Sequence, residues 1–148
     1  MFKSILLPTD GSELSEKATA IAIEFARVHG ARIVGVSVVQ PFPFTPMAGA
    51  GDGAVIPDAE VFDTQANVAA TSHLNKIAAA ATAAGIPFEG VVATAHSPYE
   101  EIVAAAQKYG CDIIPMASHG RKGLNKLFLG SETQKVLAHT HLPVLVLR

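Results

Sequence analysis

Short apolar runs alternate with longer amphipathic stretches along the whole chain, and few folds accept that alternation. Residues 5–7 (Ile-Leu-Leu) form the first run, ended by Pro8. Leu14, Ala18, Ile21, Ala22, Phe25 and Val28 then recur at helical spacing, which predicts a helix over 13–29 with these residues as its inner stripe. Ser12 suits the N-cap, Glu13 and Glu16 suit the positive helix start, and Gly30 suits the end. Residues 33–39 are continuous and β-branched, as in a strand covered on both faces. A helix follows over about 60–84, with Leu74, Ile77, Ala78 and Ala81 inward and Gly85 closing it. Residues 88–95 read as a strand. Ser97-Pro98-Tyr99-Glu100 reads as a capping box with proline at the first helical position, ahead of Ile102, Val103 and Ala106 and a stop at Gly110. A strand over 111–117, a helix from Ser131 to about His139 and a strand over 142–147 complete the series. Parallel neighbours need right-handed helical crossovers, so the expected architecture is a five-stranded, parallel, doubly wound open sheet, Rossmann-like, in three α/β/α layers. Pro115 removes one ladder donor from the fourth strand and is expected at a bulge or with its missing N–H on an unpaired side.

At 148 residues the chain is expected to form one domain over 1–148, large enough to bury a core without metal or disulfide staples. Pro41, Pro43, Pro46 and Pro57, with Gly49, Gly51 and Gly53, break regular structure over 40–58, which reads as a flexible loop, either a mobile lid or disordered. Hydrophobic residues make up 49% and charged residues 16%, outside the disordered class. The 11 Lys and Arg against 13 Asp and Glu leave a formal charge of −2, so no global field favours nucleic acid or an anionic membrane. Cys111 is the single cysteine, which excludes an intramolecular disulfide and a multi-cysteine zinc site. It is expected to act as a small buried hydrophobe. No apolar run reaches the roughly 18 residues of a membrane span, and the N-terminus lacks a signal-peptide pattern. A cytoplasmic protein is expected.

Ligands of open α/β sheets bind beyond the carboxyl ends of the strands, where strand order reverses. Two segments fall there. Pro8-Thr9-Asp10-Gly11-Ser12 follows the first strand. Met116-Ala117-Ser118-His119-Gly120 follows the fourth and runs through Arg121, Lys122 and Lys126 to Leu129-Gly130-Ser131-Glu132-Thr133. Gly120 and Gly130 lack a Cβ, so backbone amides there can approach a polyphosphate. Gly130-Ser131 opens a helix whose positive end favours an anion, and Ser131 and Thr133 add hydroxyls. The plain structural readings are a turn with an N-cap at 10–12, a helix start at 130–131 and a solvated basic loop between. His119 reads as a hydrogen-bonding loop residue, and His139 and His141 lack the partners of a metal site. The chain has neither a Gly-x-Ser-x-Gly nucleophile elbow nor the Gly-Lys-(Ser/Thr) of a P-loop, so a dedicated hydrolase is not expected.

The opening Ile-Leu-Leu-Pro-Thr-Asp-Gly-Ser, the Ser-His-Gly to Leu-Gly-Ser segment and the closing Pro143-Val144-Leu145-Val146 together resemble the universal stress protein family over the full length. The resemblance implies an adenine-nucleotide α-hydrolase-like fold. Its ATP-binding subgroup carries Gly-x2-Gly-x9-Gly-(Ser/Thr). Gly120 and Gly130-Ser131 match the later part, while Ala117 replaces the first glycine. The implied cofactor is ATP or a related adenine nucleotide, with Mg2+ as an accompanying cation. By that resemblance Asp10, beside Pro8 and Thr9, contacts the adenosine part, and Val38 lies against adenine. Gly120, Gly130, Ser131 and Thr133 hold phosphates, and Met116, Ala117 and Glu132 complete the set. A carboxylate at 132 repels a triphosphate unless it points outward or shares a cation. The implied assembly is a homodimer through the C-terminal strand, acting in stress response through partner proteins, with at most slow ATP turnover. The alternatives are a non-nucleotide-binding interaction protein of the same fold and, less favoured, a small nucleotide-dependent transferase.

Overall fold

The computed structural model describes residues 1–42, 58–119 and 129–148. Strand and helix alternate through β1 (Ser4–Pro8), α1 (Glu13–His29), β2 (Arg32–Val39), α2 (Ala59–Ala83), β3 (Phe88–Thr94), α3 (Pro98–Lys108), β4 (Ile114–Ala117), α4 (Ser131–His139) and β5 (Val144–Leu147). All pairings are parallel: β1 with β2, β2 with β3, and β4 with β5. A single bridge, Ile5 to Ile113, joins the two ladders into the order β3-β2-β1-β4-β5. Strand order reverses between β1 and β4, so the crevice expected from the sequence opens there.

Alternate residues of the strands feed two cores. Ile5, Leu7 and Ile33 pack under α1 and α2 with Ala22, Ala26, Ile77 and Ala81. Leu6, Val34, Val36, Ile114 and Met116 pack under α3 and α4 with Ile102, Ala106 and Val136. The predicted stripe of α1 is rotated. Its buried residues are Ser15, Ala18, Ala22, Ile23 and Ala26, whereas Ile21 and Val28 are 45% and 73% exposed. The line of alanines lets the helix lie close to the sheet, and larger side chains at 21 and 28 fall outside that contact. Ser12 caps α1 as expected, accepting from the Ser15 amide at 3.2 Å, and Gly30 closes it with φ 61°.

β4 and β5 are shorter than the apolar runs that contain them. Residues 111–113 instead lead into the sheet, where Leu6 N–H donates to Ile113 O at 3.0 Å and Asp112 N–H to Ser4 O at 2.8 Å. The amides of Ile114 and Ser118 donate to Pro143 O and Leu147 O of β5. Alternation therefore turns position 115 toward β1, and Pro115 has no N–H to continue that ladder. The missing donor faces the unextended side, as the sequence suggests. β5 lies at a sheet edge, so it is not an interior strand. Most of the 40–58 segment lies outside the described residues. Cys111 is 6% exposed, with its sulfur 3.5 Å from Ser4 Oγ, and burial raises its thiol pKa. No described helix is long and apolar enough to cross a membrane.

Candidate functional site

The first wall of the crevice is the turn after β1. Thr9 is buried; its amide donates to Val36 O at 2.9 Å, and its hydroxyl lies 2.7 Å from Ser15 Oγ. Gly11 N–H donates to Thr9 Oγ1 at 3.2 Å, and Ser12 N–H to Asp10 Oδ1 at 3.0 Å. These bonds form a short Asx-type turn that holds Asp10 beyond the strand end. Gly11 has φ 71°, and the His73 imidazole of α2 fills the space that a Cβ there would need. This contact joins residues far apart in sequence, and no local pattern announces it.

Val38 and Met116 form an apolar floor on the α3/α4 side of the sheet. Met116 is 6% exposed, and half-buried Val38 packs against the same cluster. Pro8 is level with Val36 in the β1–β2 register, so Asp10 continues past the strand beside the end of β2 that carries Val38.

The third wall is the junction of β4 with α4. Gly130 N–H donates to Ser118 O at 2.7 Å, and Thr133 Oγ1 donates to Ala117 O at 3.0 Å. A Cβ on Gly130 would stand 3.0 Å from Ser118 O and 3.2 Å from His119 Cα. Gly130 has φ −60°, so its glycine character answers to this close approach and not to an unusual dihedral. The first bond within α4 runs from Gln134 N–H to Gly130 O at 3.0 Å, which leaves the amides of Ser131, Glu132 and Thr133 ahead of the helical ladder. Exposed Ser131 presents its hydroxyl at the same end. Buried Thr133 has its hydroxyl turned inward, so at this junction it acts as a clasp. Ser118 is 2% exposed, with its Oγ 3.0 Å from His119 Nδ1.

Glu132 points away from the crevice. Its Oε2 accepts the Tyr99 amide at 2.9 Å, and its Oε1 lies 3.0 Å from Lys135 Nζ. The carboxylate thus caps α3, where Ser97 makes no side-chain cap bond and Glu100 accepts from the Tyr99 hydroxyl at 2.9 Å. That replaces the capping box read from the sequence. Lys135 also lies 5.4 Å from the Tyr99 ring, and His139 lies 4.9 Å from it, closing the α3–α4 contact. Gly120, Arg121, Lys122 and Lys126 lie outside the described residues. The structure brings Asp10, Val38, Met116, Ala117, Gly130 and Ser131 to the carboxyl ends of β1, β2 and β4, and directs Thr133 and Glu132 elsewhere.

Comparison with known proteins points to a single family. A family description reading "Universal stress protein family" matches residues 1–148. A universal stress protein of Thermus aquaticus is 35% identical over 151 aligned positions, covering all of both chains. A crystal structure of a member from Burkholderia pseudomallei superposes with a TM-score of 0.77 at 25% identity, over 98% of this chain and 95% of that one. A universal stress protein solved in complex with cAMP gives a TM-score of 0.71 at 18% identity, over 99% of this chain and 97% of that one.

Proposed function

Because this chain belongs to the universal stress protein family, we propose that its switch-point crevice binds ATP or a related adenine nucleotide, with partner proteins reading the bound state in the stress response. The observation that carries this reading is one alignment: an apolar floor at Val38 and Met116, a carboxylate at Asp10, and three amides of α4 ahead of its hydrogen-bond ladder, all at one end of the sheet. A planar base suits the floor, a ribose hydroxyl suits Asp10, and phosphate suits Ser131 and the positive end of α4. The cAMP complex of a protein with the same fold supports the choice of adenine. Ala117 puts one methyl where a glycine would leave space, and a ligand that avoids it must sit slightly higher above β4. Mg2+ would accompany a triphosphate through the phosphate oxygens. The cytoplasm, where free adenine nucleotide is abundant, is the setting this reading requires.

The test is calorimetric titration with adenosine and ATP. Asp10→Ala is expected to weaken both about tenfold, roughly 1.4 kcal/mol, whereas Ser131→Ala weakens ATP and spares adenosine. If both ligands bind the Asp10→Ala protein as they bind the unaltered one, the site lies elsewhere. A second reading, an interaction protein of this fold without nucleotide, draws on the inward engagement of the Gly130 amide and the Thr133 hydroxyl. It prevails if the unaltered protein binds neither ligand.

A further inference from the structure

The turn that carries Asp10 is built around a glycine with a ring pressed against it. Gly11, with φ 71°, separates Asp10 from the N-cap Ser12, and the His73 imidazole of α2 fills the space beside it that a Cβ would need. Building on the nucleotide reading above, we propose that His73 is a positioning residue: its ring, presented by α2, fixes the turn over residues 9–12 and so keeps the Asp10 carboxylate in place at the crevice.

Three observations support this. The ring stands on an anchored part of its helix, because Leu74 and Ile77 are buried in the core and Lys76 Nζ lies 2.7 Å from Glu16 Oε1 of α1. The hydrogen bonds of the turn are internal to it and to α1: Gly11 N–H donates to Thr9 Oγ1 at 3.2 Å, and Ser12 N–H to Asp10 Oδ1 at 3.0 Å. They fix Asp10 relative to the turn, and the His73 ring fixes the turn relative to α2. Beside the ring, a groove between α1 and α2 is lined by Thr9, Gly11, Thr19, Ile77 and Ala80. Without the ring Gly11 faces a wider groove, and a residue with no side chain is where the backbone swings most easily. The place of the Asp10 carboxylate therefore depends on what stands at position 73.

The test is a double-mutant cycle read by calorimetric titration with adenosine and ATP. His73→Ala should weaken both ligands about fivefold, because a small displacement of a contact group costs affinity steeply. The double variant with Asp10→Ala should bind about as weakly as Asp10→Ala alone, roughly tenfold below the unaltered protein, since the two residues act as one unit. If His73 only supports the fold, the two losses multiply to about fiftyfold. Combined with Ser131→Ala, on the other wall, the His73→Ala loss for ATP should persist in full. His73→Phe keeps a flat ring over Gly11 and should retain adenosine affinity, whereas His73→Gln fills a similar length without a ring and should not. Circular dichroism at the titration temperature checks folding, and if His73→Ala is unfolded there, the Phe and Gln variants decide. Losses that multiply with Asp10→Ala, a His73→Ala or His73→Gln protein that binds like the unaltered one, or a His73→Phe protein as weak as His73→Gln overturn the proposal and leave the nucleotide reading intact. Absence of adenosine and ATP binding to the unaltered protein, or no loss from Asp10→Ala, overturns the nucleotide reading itself, and this inference with it.

Discussion

Gly130 serves packing through its missing side chain, the same property the proposed site would use for binding. Its φ of −60° is open to any amino acid, yet a Cβ would press on Ser118 O at 3.0 Å and His119 Cα at 3.2 Å. A backbone carbonyl cannot turn aside as a flexible side chain can. Gly130→Ala should therefore destabilise the protein by about 1–3 kcal/mol, measured by thermal unfolding without ligand. A Tm equal to that of the unaltered protein would show that the β4–α4 junction relaxes freely. Substitutions here disturb the junction before they disturb any ligand, so Asp10 and Ser131 are the cleaner positions for testing binding. The motif glycine was legible in the sequence, but its reason was not, because the contact it makes is with Ser118 and His119, twelve and eleven residues away.

At the scale of elements, periodicity located every helix but did not orient α1. Leu14, Ile21, Phe25 and Val28 form an apolar line as regular as the one that is buried, and hydropathy favours the larger side chains. Ala18 and Ala22 of the expected stripe are buried, but Ser15, Ile23 and Ala26 join them in place of Ile21 and Val28, because small residues allow the closer approach to the sheet. Ala22→Leu should cost about 1–3 kcal/mol through overpacking, while Val28→Ala should fall within about 0.5 kcal/mol of the unaltered protein. Urea unfolding of the two variants checks this, and a larger loss from Val28→Ala would restore the original stripe. The start of α3 teaches the same lesson. Ser97 and Glu100 have the spacing of a reciprocal cap, yet the acceptor comes from Glu132, 33 positions from Tyr99. Local patterns find where helices begin; which side chain closes them depends on tertiary neighbours. Strand–helix order and the switch point were readable because each depends on sequence order alone, whereas Asp10 and Val38 were assigned to adenosine through the family resemblance. The inward turn of Thr133 and the reach of Glu132 to α3 depend on how α4 docks.

For the molecule as a whole, we propose that the edge at β5 sets assembly. Val144, Leu145, Val146 and Leu147 are each half-buried, and the strand pairs only with β4 among the described residues. Among the described residues its outer edge has no strand beside it, which leaves it available to a second strand. Pairing of two such edges about a two-fold axis gives a homodimer. Light scattering should report a dimer for the unaltered protein, and Val146→Lys should shift it to monomer without loss of helical signal. A monomeric unaltered protein would remove this role from β5.

Pro115 also borders a thinly bonded seam in the sheet. Because β1 meets the residues leading into β4 through a bridge at Ile113 where other neighbouring strands share full ladders, the seam beside the crevice is, among the described residues, the place where the sheet parts at least expense of hydrogen bonds. Native-state hydrogen exchange should then resolve two cooperative units, β1–β2–β3 with α1 and α2, and β4–β5 with α4, opening at different free energies. A nucleotide lying across the seam would act as a staple, slowing exchange in both units together and merging them into one.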